Sequence, residues 1–166
     1  MRRFNLNTDW CKNFENRVYI KAEKFTIDIG INSLVSIITG DSSTGKTFML
    51  TMMQILKEVG QDKIIESNID LDDIIICSNQ KDIKNLLRDT DNTIGKTIFI
   101  DRYDINYSSE LNDFIETSSN RFVIMSHAQY KQLNIHAESF LIIHYSKDTK
   151  TFTTEPLINH LNKEYI

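Results

Sequence analysis

Glycine is scarce in this chain, with five among 166 residues. Scarcity makes each one informative, because glycine is the default wherever the backbone takes a positive φ or must approach a ligand closely. Two of the five, Gly40 and Gly45, stand in a single short loop. Cysteine is nearly absent too: Cys11 and Cys77 lie far apart, and no Cys/His spacing suggests a metal cage. Cys77 sits in an apolar, strand-like run, where a buried free thiol is expected, and this places the chain in a reducing cytoplasm. No apolar run approaches the length of a membrane-crossing helix, so no membrane insertion is expected. The opening Met1-Arg2-Arg3-Phe4-Asn5 has the basic residues of a signal peptide but no apolar segment after them. Positive charge is not in excess either. A net charge of −4 argues against a dedicated nucleic-acid binder and leaves only a local basic patch as a route to nucleic acid.

What is present is a globular composition, 40% apolar and 25% charged, in a chain long enough for one domain (1–166) with a proper core. The most informative stretch starts as an apolar, β-branched run over 34–39. It leads directly into Gly40, Asp41, Ser42, Ser43, Thr44, Gly45, Lys46 and Thr47, and a strongly apolar segment from Phe48 follows. This G-x-x-x-x-G-K-T pattern, between a strand and a helix, is the Walker A phosphate loop. Gly40 and Gly45 let successive N–H groups point inward at phosphate oxygens. A helix from about Lys46 adds its positive dipole end. Lys46 would reach the β- and γ-phosphates, and the Thr47 hydroxyl would hold Mg²⁺. Residues 40–48 are therefore the candidate nucleotide contacts.

The rest of the chain reads in order. Residues 1–16 carry Phe4, Trp10 and Phe14 without a clean period, and form either an arm with docked aromatics or a partner contact. Alternation at Val18-Tyr19-Ile20-Lys21-Ala22 and Phe25-Thr26-Ile27-Asp28-Ile29 predicts two short strands before the loop strand. After the loop, Met49, Leu50, Met52, Met53, Ile55, Leu56 and Val59 predict a helix buried on more than one side and closed by Gly60. Further strands are expected at 63–66 and 73–77, with Ser78 or Asn79 capping a helix over 80–89. Gly95-Lys96-Thr97 imitates a second phosphate loop, but Thr90 stands where the first glycine is required and a strand follows, so it is given no phosphate role. That strand, 97–101, is apolar and ends in Asp101, the Walker B pattern, and Asp101 is the candidate to hold Mg²⁺ opposite Thr47. A helix over 108–116 precedes a strand over 121–125 that ends in Ser126-His127. A closing hairpin is expected at 138–145 and 150–154, and a last helix at 157–165, within a terminal segment 156–166.

On these motifs the chain resembles the P-loop NTPase superfamily. In outline it is most similar to ATP-binding-cassette and SMC/RecF-type ATPase heads, although it has no Leu-Ser-Gly-Gly signature and no helical subdomain. The resemblance implies an α/β, three-layer P-loop NTPase fold with a mainly parallel central sheet and antiparallel hairpins at the N- and C-terminal ends. It also implies a strand inserted between the Walker A and Walker B strands, for which the Cys77 strand is the candidate. By the same resemblance Tyr19, with Phe25 as second choice, would stack on adenine, His127 would contact the γ-phosphate, and Gln80 could stand as the glutamine-loop residue. Where the family places a glutamate after the Walker B aspartate, this chain has Arg102. Asp104 is the nearest carboxylate, and the catalytic candidates are Lys46, Asp104 and His127. The expected function is Mg²⁺-dependent ATP binding, as a slow ATPase or a nucleotide-controlled switch acting with a protein partner or as a homodimer. The alternatives are a small-molecule or nucleoside kinase and a non-catalytic interaction module.

Overall fold

Alternation of buried and exposed side chains makes the first strands. In β1 (Arg17–Ala22) Val18, Ile20 and Ala22 point inward, and in β2 (Thr26–Gly30) Ile27 and Ile29 do the same. The two pair antiparallel with Ile20 opposite Ile27. The following strands are buried more evenly: β3 (Val35–Thr39), β6 (Thr97–Ile100) and β7 (Arg121–Met125) are covered on both faces, as strands at the centre of a sheet must be. Shorter strands β4 (Ile64–Ser67) and β5 (Ile74–Cys77), and the hairpin of β8 (Ser139–Ser146) and β9 (Thr151–Pro156), complete the set. This computed structural model describes residues 14–31, 33–40, 45–126 and 139–159.

The described strands form one mixed, nine-stranded sheet in the order β4-β1-β2-β9-β8-β3-β7-β6-β5. The antiparallel hairpins β1–β2 and β8–β9 meet through a parallel β2–β9 contact, and β8 runs parallel to β3. On its other edge β3 runs parallel to β7, then β6 and β5 follow, all parallel. The protein is therefore α/β with one mixed sheet, parallel around β3, with the expected antiparallel hairpins formed by the first and last strands of the chain. One expectation of strand order is corrected. The strand between β3 and β6 is β7, whereas the Cys77 strand β5 pairs with β6 on the outer side. The reason is the register Val35↔Phe122 and Ile98↔Phe122, which seats β7 against both neighbours.

Helices cover both faces. α1 (Lys46–Val59) places Met49, Leu50, Met53 and Leu56 in a cluster with Val18, Ile20, Ile27, Ile29, Ile38, Phe99 and Phe152. Gly60 ends it at φ 97°, its N–H returning to Leu56 O, a conformation that costs an L side chain. α2 (Gln80–Arg88) and α4 (Ser109–Thr117) cover the opposite face, where Ile83, Leu86, Leu111 and Ile115 pack with Ile37, Ile98, Ile100 and Phe122. Their N-caps are side chains: Asn79 Oδ1 accepts from Asp82 N and Ser108 Oγ from Leu111 N. Each cap is worth about 1 kcal/mol. A four-residue helix, α3 (Tyr103–Asn106), follows β6 and was not legible as a period because it completes barely one turn.

Arg121 is buried within this frame. It donates to Thr97 Oγ1 and to Glu15 O, and its guanidinium lies 5.0 Å from the Phe14 ring centre. Burial pulls its pKa down to about 10. The end of the N-terminal arm at residues 14–16 is thus docked, while 1–13 and most of the expected last helix lie outside the described residues.

Candidate functional site

The strand–loop–helix unit places its chemistry at the carboxyl edge of β3. Gly40 leaves the strand at φ 124° and Gly45 enters α1 at φ 95°, both values that disfavour any other residue. Lys46, the first residue of α1, is only 2% exposed, and its ammonium donates to Gly40 O at 2.5 Å. The side chain therefore bridges the two ends of the loop. Asp41, Ser42, Ser43 and Thr44 lie outside the described residues.

The next residue makes the contact that organises the site. Thr47 Oγ1 donates to Asp101 Oδ2 at 3.2 Å, joining the start of α1 to the end of β6 across an interval of 54 residues. Asp101 is 5% exposed and heavily constrained. Its N–H donates to Cys77 O, its carbonyl accepts from Asn106 Nδ2, and its Oδ1 accepts from Arg102 N at 3.0 Å. Its carboxylate thus has one oxygen held by the backbone and the other turned to Thr47. Arg102 adopts a left-handed conformation (φ 48°), which turns the chain from β6 into α3. Its Nε lies 3.7 Å from Asp104 Oδ1, and both atoms are buried without a hydrogen-bond partner. Non-glycine residues held this way cluster at functional sites.

A cleft of about 370 Å³ opens beside this pair and runs along α1, lined by Thr47, Thr51, Gln54, Glu58, Ser78 and Asp101 among others. Ser78 was not among the sequence candidates; its place at the carboxyl end of β5 brings it in. Cys77, beside it, is buried and its thiol is pushed up to about 12 by desolvation, so it is no nucleophile near neutral pH.

The other candidates are distributed as follows. Tyr19 is not brought to the loop. Because Val18 and Ile20 face α1, strand alternation puts Tyr19 on the opposite face, where the Arg17 guanidinium covers its ring at 4.3 Å. Phe25 is buried in the core cluster. Gln80 opens α2 and is exposed. Lys96 is tied to Asp73 Oδ1 at 2.8 Å and to Asp72 O, which gives the imitation loop a structural job. His127 lies outside the described residues, next to the buried Ser126. Among the described residues no helix is long and apolar enough to cross a membrane. None of them group three or more His, Cys, Asp or Glu as a metal cage.

No family model matches the chain, and no curated protein matches it. Among solved structures it is similar to a chain in the crystal structure of the complex of archaeal ribosomal stalk protein aP1 and archaeal ribosome recycling factor aABCE1. The similarity has a TM-score of 0.43 and 10% identity, and covers 90% of this chain but 40% of that one. So distant a likeness carries no argument. The resemblance to P-loop NTPases, and to ATP-binding-cassette and SMC/RecF-type heads within them, is accordingly corrected: no family model supports it, and a mixed sheet of this kind does not by itself establish that fold. The physical reason is that the resemblance rested on a few loop and strand-end residues, which constrain a site locally and leave most of the chain unconstrained.

Proposed function

We propose that this chain binds ATP together with Mg²⁺ at the 40–47 loop and acts as a slow ATPase or a nucleotide-controlled switch, with a protein partner or as a dimer. The observation that carries the reading is the 3.2 Å hydrogen bond between Thr47 and Asp101 at the first turn of α1, next to the buried Lys46. A hydroxyl and a carboxylate held together fit Mg²⁺, which takes oxygen ligands, keeps several waters and needs few protein groups. Thr47 and Asp101 would hold it, and when bound it would neutralise charge on the phosphates. The N-terminus of α1 faces the same anion, and Lys46 supplies the fixed positive charge.

Binding and turnover make different demands. Hydrolysis needs a water held in line with the phosphorus, so positioning is most of the catalysis. The residue after Asp101 is the cation Arg102, and the nearest carboxylate, Asp104, faces Arg102 Nε. That arrangement supports slow intrinsic turnover, with the missing group supplied in trans by a partner.

The test is an ATP titration with Mg²⁺ and with EDTA, with phosphate release followed in the same samples. The wild type is expected to bind at least about tenfold more tightly with Mg²⁺, a difference of about 1.4 kcal/mol, and Asp101→Asn is expected to lose that dependence. Asp104→Asn is expected to keep ATP binding and lose phosphate release. Mg²⁺-independent affinity in the wild type would remove Thr47 and Asp101 from the role, and undiminished release would remove Asp104.

A further inference from the structure

The loop is backed by aromatic side chains that phosphate chemistry does not use. Phe48 follows Thr47 on the first turn of α1 and is 45% exposed. Its ring meets Tyr145 edge-on, with centroids 5.3 Å apart at 90°, and Phe152 at 5.4 Å. Tyr145 and Phe152 are direct cross-strand partners on β8 and β9, and their rings lie 4.5 Å apart with a 33° tilt. Phe152 is fully buried and forms the floor; Tyr145 is half-buried; Phe48 is the open wall. The cluster abuts the phosphate loop itself. A Cβ at Gly45 would stand 3.6 Å from Tyr145 Cβ and 3.7 Å from the Phe152 ring.

An exposed aromatic is unremarkable on a protein surface. This one differs in where it stands. It is one residue from the hydroxyl assigned to Mg²⁺, and its partners Tyr145 and Phe152 stand where a side chain at Gly45 would meet them. A nucleotide's base is tethered to its phosphates through a single sugar, so whatever anchors the phosphates also delivers the base to nearby surface. A partly open aromatic ring beside the loop favours a π-face over an aliphatic group.

We infer that the open face of the Phe48 ring, with Tyr145 packed edge-on behind it, stacks on the purine base of the nucleotide whose phosphates occupy the 40–47 loop, an inference that rests on the ATP reading above. Purines are preferred to pyrimidines because they offer the larger ring face. Tyr19 has no part in it, lying on the other side of the sheet.

The experiment compares calorimetric affinities for Mg-ATP and for Mg-tripolyphosphate, which has the phosphates without a base, in the wild type, Phe48→Leu and Phe48→Tyr. The leucine variant keeps apolar bulk on an exposed position and removes the ring face. The wild type is expected to bind ATP about tenfold more tightly than tripolyphosphate. Phe48→Leu should lose that preference with unchanged tripolyphosphate affinity, and Phe48→Tyr should retain it. A leucine variant that keeps the full preference, or that weakens both ligands equally, overturns the stacking wall while leaving the phosphate site standing. A wild type that binds neither ligand overturns the nucleotide reading itself.

Discussion

Lys46→Ala is expected to abolish the stabilisation that Mg-ATP gives the wild type in a thermal-shift assay. The ammonium is the positive charge that the site fixes at the loop, and hydrogen bonds to charged groups are worth about 1.5–3 kcal/mol. Losing one therefore lowers affinity by roughly 10- to 150-fold. A ligand at 100 times its Kd contributes about 2.7 kcal/mol of stability, and from about half to nearly all of this disappears when the Kd rises by that factor. Since Lys46 is buried, its stem also packs, and the alanine variant removes stem and charge together. Lys46→Met separates the two by keeping most of the stem. It should fold like the wild type and fail to respond to ATP. An unchanged ATP-induced shift in either variant would detach the loop from nucleotide binding.

The largest expected effect on stability is at Phe99. This side chain is fully buried on β6, in the cluster that α1 closes, two residues before Asp101. Truncating a buried phenylalanine costs about 3–5 kcal/mol, the transfer loss plus the cavity left behind. That is a large share of the 5–15 kcal/mol of an ordinary domain. Phe99→Ala should lower the denaturant midpoint accordingly and reduce Tm by roughly 10 °C, at about 2–4 °C per kcal/mol for a chain of this size. A loss below about 1 kcal/mol would contradict the central place of β6. The consequence reaches function, because β6 delivers Asp101 to Thr47. Stability and the Mg²⁺ dependence of ATP affinity should fall together in this variant.

Much of this arrangement can be read from particular residues. Val18, Ile20, Ile27 and Ile29 alternate cleanly, and their strands form as the alternation predicts. The helix after the loop runs from Lys46 to a glycine at residue 60, as its stop signal requires. It is buried on one face and not on more than one: Lys46, Met49, Leu50, Met53 and Leu56 face inward while Phe48, Ile55 and Val59 are exposed, because α1 packs against the sheet on one side. Other features were beyond a reading of local pattern. The order of strands is set by long-range pairing: β7 fits between β3 and β6 because its residues complement both, and nothing within 121–125 announces that. The two hairpins join one sheet through the parallel contact of β2 with β9, whose partners are over a hundred residues apart. Phe48, Tyr145 and Phe152 form one cluster only because β8 and β9 fold back beneath Gly45. The sole local hint was the alternation in the closing hairpin, which sets Tyr145 opposite Phe152. Arg102 was legible as a departure from the Walker B pattern, but not its left-handed backbone or its approach to Asp104.

The central claim is that the 40–47 loop, Lys46, Thr47 and Asp101 form one nucleotide site. The most direct measurement is a crystal structure of the protein grown with Mg²⁺ and a non-hydrolysable ATP analogue. The account predicts that Lys46 Nζ turns from Gly40 O to the β- and γ-phosphates, with Mg²⁺ about 2.1 Å from Thr47 Oγ1 and Asp101 on its water shell. An analogue bound elsewhere, or a loop that stays empty at saturating analogue with Lys46 still on Gly40 O, would contradict it.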